Sequence, residues 1–213
     1  MLAFLLAAAS AIAQGTIVYN RLNTPNPDPN FPWDFEGMRL NGLFPQSYNL
    51  DLNGDGNADY VILASGPLST AGFYIYGVGG NGVWANQPFD SRWVVAMNAG
   101  ETIGSSMTPV ASWYSNPDGA IFCACVGGIG CLGYYAGLDS AYAGLRFQLN
   151  GETHYGWLRV GAPIPDLNGG WIYDYAYDTR PDAAIFAGAV PEPSSFALLG
   201  LGGIALWLFK RKK

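Results

Sequence analysis

Lysine is missing from the first 209 of the 213 residues in this chain, and histidine occurs once, as His154. A single imidazole excludes zinc sites built on several histidines, and the chain also lacks the G-x-S-x-G elbow of serine hydrolases. Charged residues make up only 12% of the sequence, and the balance is one-sided. Before position 210, six arginines stand against all sixteen acidic residues, a formal charge of −10. A body this acidic repels phosphate backbones, which sets nucleic-acid binding aside. Between the two terminal segments no long stretch repeats its apolar residues every 3.6 positions, so a helical fold is excluded. No tandem repeat is long enough for a solenoid or a propeller.

What the chain has instead is glycine, at 29 positions, and aromatic residues, at 15%. Apolar and polar residues alternate over Ile17–Arg21, Tyr60–Ala64, Phe73–Val78, Arg92–Asn98, Leu145–Asn150, Tyr155–Val160 and Trp171–Asp178. Turn formers such as Pro25–Asn30, Gly79–Gly82 and Asn116–Gly119 separate several of these runs. Alternation with period two, broken by Gly, Pro, Asn and Asp, predicts an all-β, antiparallel β-sandwich or jelly-roll-like domain over residues 14–189.

Within that domain the sharpest chemical pattern is Asp51-Leu52-Asn53-Gly54-Asp55-Gly56-Asn57-Ala58-Asp59. A hard cation such as Ca²⁺ takes six to eight oxygen ligands. Side-chain oxygens from Asp51, Asn53, Asp55 and Asp59, with the carbonyl of Asn57, stand at the spacing such a loop uses, and Gly56 supplies its sharp turn. Three carboxylates crowded into nine residues repel one another unless a cation neutralises them, which favours calcium over a bare polar turn. Position 12 is Ile62 rather than a bidentate Glu, and a strand follows, so this is no helix-loop-helix hand. The segment resembles the strand-flanked calcium loops of FG-GAP and dockerin-type proteins, with only the first half of the dockerin pattern.

Other patterns carry less. Gly77–Gly82 reads G-x-G-x-x-G, but Val83–Pro88 cannot open the helix that a dinucleotide site needs. Asp34 and Glu36 form a close acidic pair of the kind glycosidases use, and alternating carboxylates are also common on solvated strand edges. Cys123, Cys125 and Cys131 cannot all pair within one molecule. A bridge from Cys131 to Cys125 or to Cys123 would close a Gly-rich loop and leave one thiol over.

Leu145–Val160 holds Asn150-Gly151, a two-residue type I′ hairpin turn. That turn sets Leu149 opposite Glu152, Phe147 opposite His154 and Arg146 opposite Tyr155. One face then carries Leu145, Phe147, Leu149, Leu158 and Val160, with His154 near its edge. The other carries Arg146, Gln148, Tyr155, Trp157 and Arg159. Arginines beside aromatic rings on a rigid hairpin suit stacking against sugars, so Arg146, Tyr155, Trp157 and Arg159 are the candidate glycan face. The same residues also suit an amphipathic outer face lying under a loop.

Both ends of the chain read as addresses. Residues 1–13 combine an apolar core with Ala11-Ile12-Ala13, the small-x-small pattern that signal peptidase reads, although a positive leading region is absent. Phe196–Phe209 is uncharged and apolar, and Lys210, Arg211, Lys212 and Lys213 follow it. As a helix, fourteen residues cover about 21 Å, short of a ~30 Å hydrocarbon core. Ser194 and Ser195 extend the segment, Trp207 suits an interface, and the lysines can snorkel, which favours a membrane helix over 194–209 above a buried one.

Val190-Pro191-Glu192-Pro193, the apolar run and the basic end together resemble the PEP-CTERM sorting signal of exported proteins in biofilm-forming Gram-negative bacteria. That signal is also known under an ice-binding-protein C-terminal label, which implies nothing about ice. The resemblance spans residues 190–213. It implies recognition by an exosortase near Pro191, Glu192 and Pro193, an inner-membrane anchor before processing, and a mature protein at the cell surface or in the exopolysaccharide matrix. The stretch "LRF…HYGWLRV…YDYAYDTRPDAAIFAG" resembles the closing strands of many PEP-CTERM ectodomains and carries no catalytic residues over. Two functions are consistent with these features. One is a non-enzymatic, calcium-stabilised surface or matrix protein that binds extracellular polysaccharide weakly. The alternative is a secreted glycoside hydrolase or lyase using Asp34 and Glu36.

Overall fold

The computed structural model describes residues 16–22, 38–41, 46–65, 72–88, 91–105, 107, 111–115, 119–126, 130–162 and 169–191. The expected N-terminal signal segment, Asp34 and Glu36, Glu192 and Pro193, the apolar run and the basic tail lie outside the described residues. Among the described residues every regular element is a strand. No helix there is long and apolar enough to cross a membrane.

The first five strands are β1 (Ile17–Arg21), β2 (Met38–Asn41), β3 (Gln46–Leu50), β4 (Tyr60–Ser65) and β5 (Gly72–Gly77). Then come β6 (Gly82–Asn86), β7 (Trp93–Val94), β8 (Thr102–Ile103), β9 (Ser112–Ser115), β10 (Ala120–Val126) and β11 (Gly130–Leu132). Three long strands follow, β12 (Ala141–Leu149), β13 (Glu152–Gly161) and β14 (Gly169–Asp178), and the short β15 (Ile185–Phe186) comes last. Thirteen of them form one sheet in the order β1-β14-β13-β12-β6-β7-β10-β5-β4-β3, with β2 on β14, β9 on β6 and β11 on β10. Strands β15 and β8 make a separate pair.

The all-β expectation is met, while the finer expectation of an antiparallel sandwich or jelly roll is not confirmed. The strands do not divide into two facing sheets of comparable size, and β7 runs parallel to β10. The architecture is a single mixed sheet that curls on itself. Its curl is visible in contacts between strands far apart along the sheet. Tyr60 of β4 donates its hydroxyl to the carbonyls of Gly82 (3.0 Å) and Arg146 (2.8 Å), and Tyr175 of β14 donates to the carbonyl of Asp51 (3.2 Å). Gly170 of β14 lies so close to the Phe73 ring of β5 that a Cβ there would come within 2.3 Å of it.

The hairpin of β12 and β13 has the register its turn dictates, with Leu149 opposite Glu152, Phe147 opposite His154 and Arg146 opposite Tyr155. Asn150 and Gly151 take φ of 54° and 81°, as a type I′ turn requires. Leu145, Phe147, Leu158 and Val160 point into the curl and join Leu50, Ile62, Phe73, Ile75 and Phe122 in the main core. On β14 a bulge inserts Tyr173 between the partners of Arg159 and Val160. The extra residue inverts the alternation, so Ile172 faces the same core as Tyr175 and Tyr177.

The opposite face of these strands is covered too. Tyr155, Trp157 and Ala176 join Trp84, Met97, Ile103, Ile185 and Ala187 in a second apolar cluster. The Trp157 ring meets Tyr142 edge-on at 5.2 Å and lies 6.1 Å from Tyr19. Truncating this ring leaves a cavity that the surrounding strands cannot fill. Trp157→Ala should therefore destabilise the domain by about 3–5 kcal/mol in chemical denaturation. Phe186→Ala, at a side chain 59% exposed, should stay within about 0.5 kcal/mol of the parent.

Candidate functional site

The loop between β3 and β4 is held by its own side chains. Asp51 accepts the N–H groups of Gly54 (2.7 Å) and Gly56 (2.8 Å) on its two carboxylate oxygens. Asn53 Oδ1 accepts from the Asp55 N–H at 2.9 Å, and Asp55 Oδ1 from the Asn57 N–H at 2.7 Å. Gly56 has φ of +89°, the left-handed conformation expected at the sharp turn. Asp59 turns inward instead, where its Oδ2 accepts from the Leu52 N–H at 2.8 Å and Asn81 Nδ2 reaches its Oδ1 at 3.3 Å. Burial pushes the Asp59 carboxyl above the usual range and the neighbouring Asp51 and Asp55 add to that, while the Leu52 and Asn81 bonds oppose it. Among the described residues no group of three or more His, Cys, Asp or Glu side chains is gathered closely enough to hold a metal ion by those groups alone.

Asn81 was not singled out by the sequence, yet it ties three segments together. Its amide reaches the carbonyl of Asp59 at 3.2 Å, and its Oδ1 accepts from the Gln148 N–H of β12 at 3.1 Å. It sits in the G-x-G-x-x-G stretch, which is the turn linking β5 to β6, two strands that do not pair with each other, and a strand follows it, as the lack of a helix signal implied. Gly79 and Gly80 take φ of +63° and +91°. At Gly77 a Cβ would fall 1.8 Å from the Asn81 carbonyl oxygen. The glycines serve this turn.

The candidate glycan face is placed differently from the expectation. Tyr155 is buried and Trp157 is only 1% exposed, so neither ring offers a face to a sugar. The reason is the second apolar cluster, which covers that side of the hairpin with residues that include Trp84 of β6, Ile103 of β8 and Ile185 of β15. The arginines are engaged within the domain. Arg159 grips Asp174 through Nε (2.8 Å) and Nη2 (2.7 Å), and Arg146 lies 5.5 Å over the Trp113 ring.

Cys125 and Cys131 face each other across β10 and β11 and are joined by a disulfide. Of the two pairings open to Cys131, this one leaves Cys123 buried as the free thiol. Burial pushes that thiol up to about 11, which keeps it protonated and unreactive.

After β14 the chain is stitched down until it reaches the sorting segment. Asp178 ends the strand nearly buried, and its carbonyl meets His154 Nδ1 at 3.0 Å. Its carboxylate takes a two-point contact from the Arg180 guanidinium, at 3.1 and 2.7 Å, and a third bond from the Arg180 N–H at 2.8 Å. Beyond it, Ile185 pairs with Ile103 and Phe186 with Thr102. Ala187 donates its N–H to Glu101 at 2.8 Å and accepts from Gly100 at 2.9 Å. Ala189 donates to Phe186 at 2.9 Å and accepts from Trp157 Nε1 at 3.1 Å. Val190 and Pro191 are exposed.

Residues 189–212 match the PEP-CTERM protein-sorting motif. The motif thus begins at the residue where the stitched strap ends, and it is the signal of exported proteins processed by an exosortase. No curated protein and no solved structure matches the chain.

Burial raises the Asp178 carboxyl, but the Arg180 bonds outweigh it and hold the group below its ordinary value of 3.8. A carboxyl depressed in the folded state stabilises the fold above its unfolded value and loses that contribution as pH falls through the folded one. The Tm deficit of Asp178→Asn relative to the parent should therefore be full at pH 7 and shrink between about pH 4 and pH 2. A deficit independent of pH would show that the Arg180 contact contributes no charge stabilisation.

Proposed function

We propose that this chain is an exported surface or exopolysaccharide-matrix protein that is processed by an exosortase and acts without catalysis. The observation that supports it is the junction at Ala189, where the PEP-CTERM motif begins at a residue still hydrogen-bonded to the β-domain. A domain so joined to a sorting signal is cargo for that signal. Its precursor spans the inner membrane through residues 194–209 with the basic tail on the cytoplasmic side, after signal peptidase has removed residues 1–13. Its partner class is extracellular polysaccharide, met by surface side chains other than the covered Tyr155 and Trp157.

Calcium belongs to the same proposal as a stabiliser of the Asp51–Asp59 loop. It is supported by the ligand spacing and by the pressure that burial, Asp51 and Asp55 place on the Asp59 carboxyl. A cation near those groups would relieve that pressure.

Intact-mass spectrometry of the protein recovered from its native host should find a chain without residues 1–13 and without Lys210–Lys213. Recovery of the full-length chain from the cytosol would sink the proposal. For calcium, Tm should rise by several degrees in millimolar Ca²⁺ over EDTA, and Asp55→Ala should remove the difference. Identical melting curves would reduce the loop to a turn held by its own hydrogen bonds.

A further inference from the structure

We infer that the fold itself sets the N-terminal limit of processing: the scissile bond lies after Val190 or beyond, because Ile185–Ala189 is part of the domain core. This rests on the proposed exosortase processing and specifies its site. A peptide enters a protease cleft as an extended strand with its backbone groups free, so a bonded and buried segment must first unfold locally. Ala187 has both backbone groups bonded and is 2% exposed, and Ala189 has its N–H on Phe186 and its carbonyl on Trp157. Ile185, 3% exposed, packs in the second apolar cluster. Opening this strap would uncover one side of Trp157.

At Val190 the situation reverses, since that side chain is 46% exposed. Val190–Ser195 separates the strap from the apolar run that begins at Phe196. Fully extended, six residues reach about 20 Å, so a membrane-bound enzyme meets the folded domain at once and can go no further upstream. Cutting breaks one peptide C–N bond. The acyl carbon passes to water or to an acceptor amine, and the leaving amine takes the proton that this nucleophile releases. The strap stays with the mature domain and keeps the second cluster closed.

The test is top-down mass spectrometry of the product released from the full chain in its native host. Its C-terminal residue should be Val190 or a later one, and a product ending at Ala189 or earlier overturns the inference. A chain left uncut tells against processing itself. The limit is then read by limited digestion of the purified full chain with a nonspecific protease, where first cuts within Ile185–Ala189 overturn the inference and cuts from Val190 onward support it. Ile185→Asp, which unseats the strap, should speed cutting within Ile185–Ala189 about tenfold or more, while Phe186→Asp, one residue on and facing outward, should not. Trp157→Phe keeps the apolar ring but loses the N–H that holds Ala189, and should give an intermediate rate. Equal rates for the Ile185→Asp and Phe186→Asp variants also overturn the inference, because the strap would then offer no protection.

Discussion

The central stretches of β12, β13 and β14 are buried on both faces, and this requirement for two covers organises the rest of the domain. Leu145, Phe147, Leu158 and Val160 need apolar partners on one side, while Tyr155, Trp157 and Ala176 need them on the other. The curl of the sheet supplies the first cover by bringing β4 and β5 over β12 to β14. Short pieces supply the second: Trp113 from β9, Ile103 from β8, and Ile185 with Ala187 from the end of the chain. Neither cover is a helix among the described residues, and burying both sides of a sheet with strands and loops calls for many turns, hence the abundance of glycine.

Polar groups inside this arrangement are few, and several of them tie strands together. Tyr60 hydrogen-bonds the backbone of both β6 and β12 from β4, and Asn81 joins the acidic loop to β12. On the other side Asp174 collects Arg159 and the Tyr19 hydroxyl at 3.0 Å, which ties β1, β13 and β14 together. A buried polar side chain left unpaired is costly, so each of these ties favours one strand order over its alternatives.

The parts legible in the sequence are those with one wet face or a strict turn. Ile17–Arg21 and the β12–β13 hairpin, down to its register, follow from alternation and Asn150-Gly151. The pairing of Cys131 had two options, and the cross-strand position of Cys125 decides between them. β6 and β10 were not anticipated. Val83, Trp84 and Ala85 are all buried, as are Phe122, Cys123 and Cys125, so covers on both sides erased the alternation that marks a strand. For the same reason Tyr155 and Trp157 looked like a surface platform. Their cover comes from residues far away in sequence, and nothing local announces it. The single curled sheet was hidden likewise, because strand order depends on distant partners. Asn81 looked like an ordinary turn residue, and its role depends on Asp59 and Gln148 arriving beside it.

The pairing of β12 with β6, Leu145 against Val83, has a kinetic consequence. The unit from Ala141 to Asp178 consists of neighbouring strands and can assemble from local contacts. Its free edge on β12 must then wait for a strand that left the ribosome long before and that also pairs with β7 and β9. Loops of that length close slowly, and the parallel contact of β7 with β10 adds a further crossover. Until β6 docks, β12 presents an open hydrogen-bonding edge beside an uncovered Trp157, the configuration in which nascent sheets join neighbouring copies.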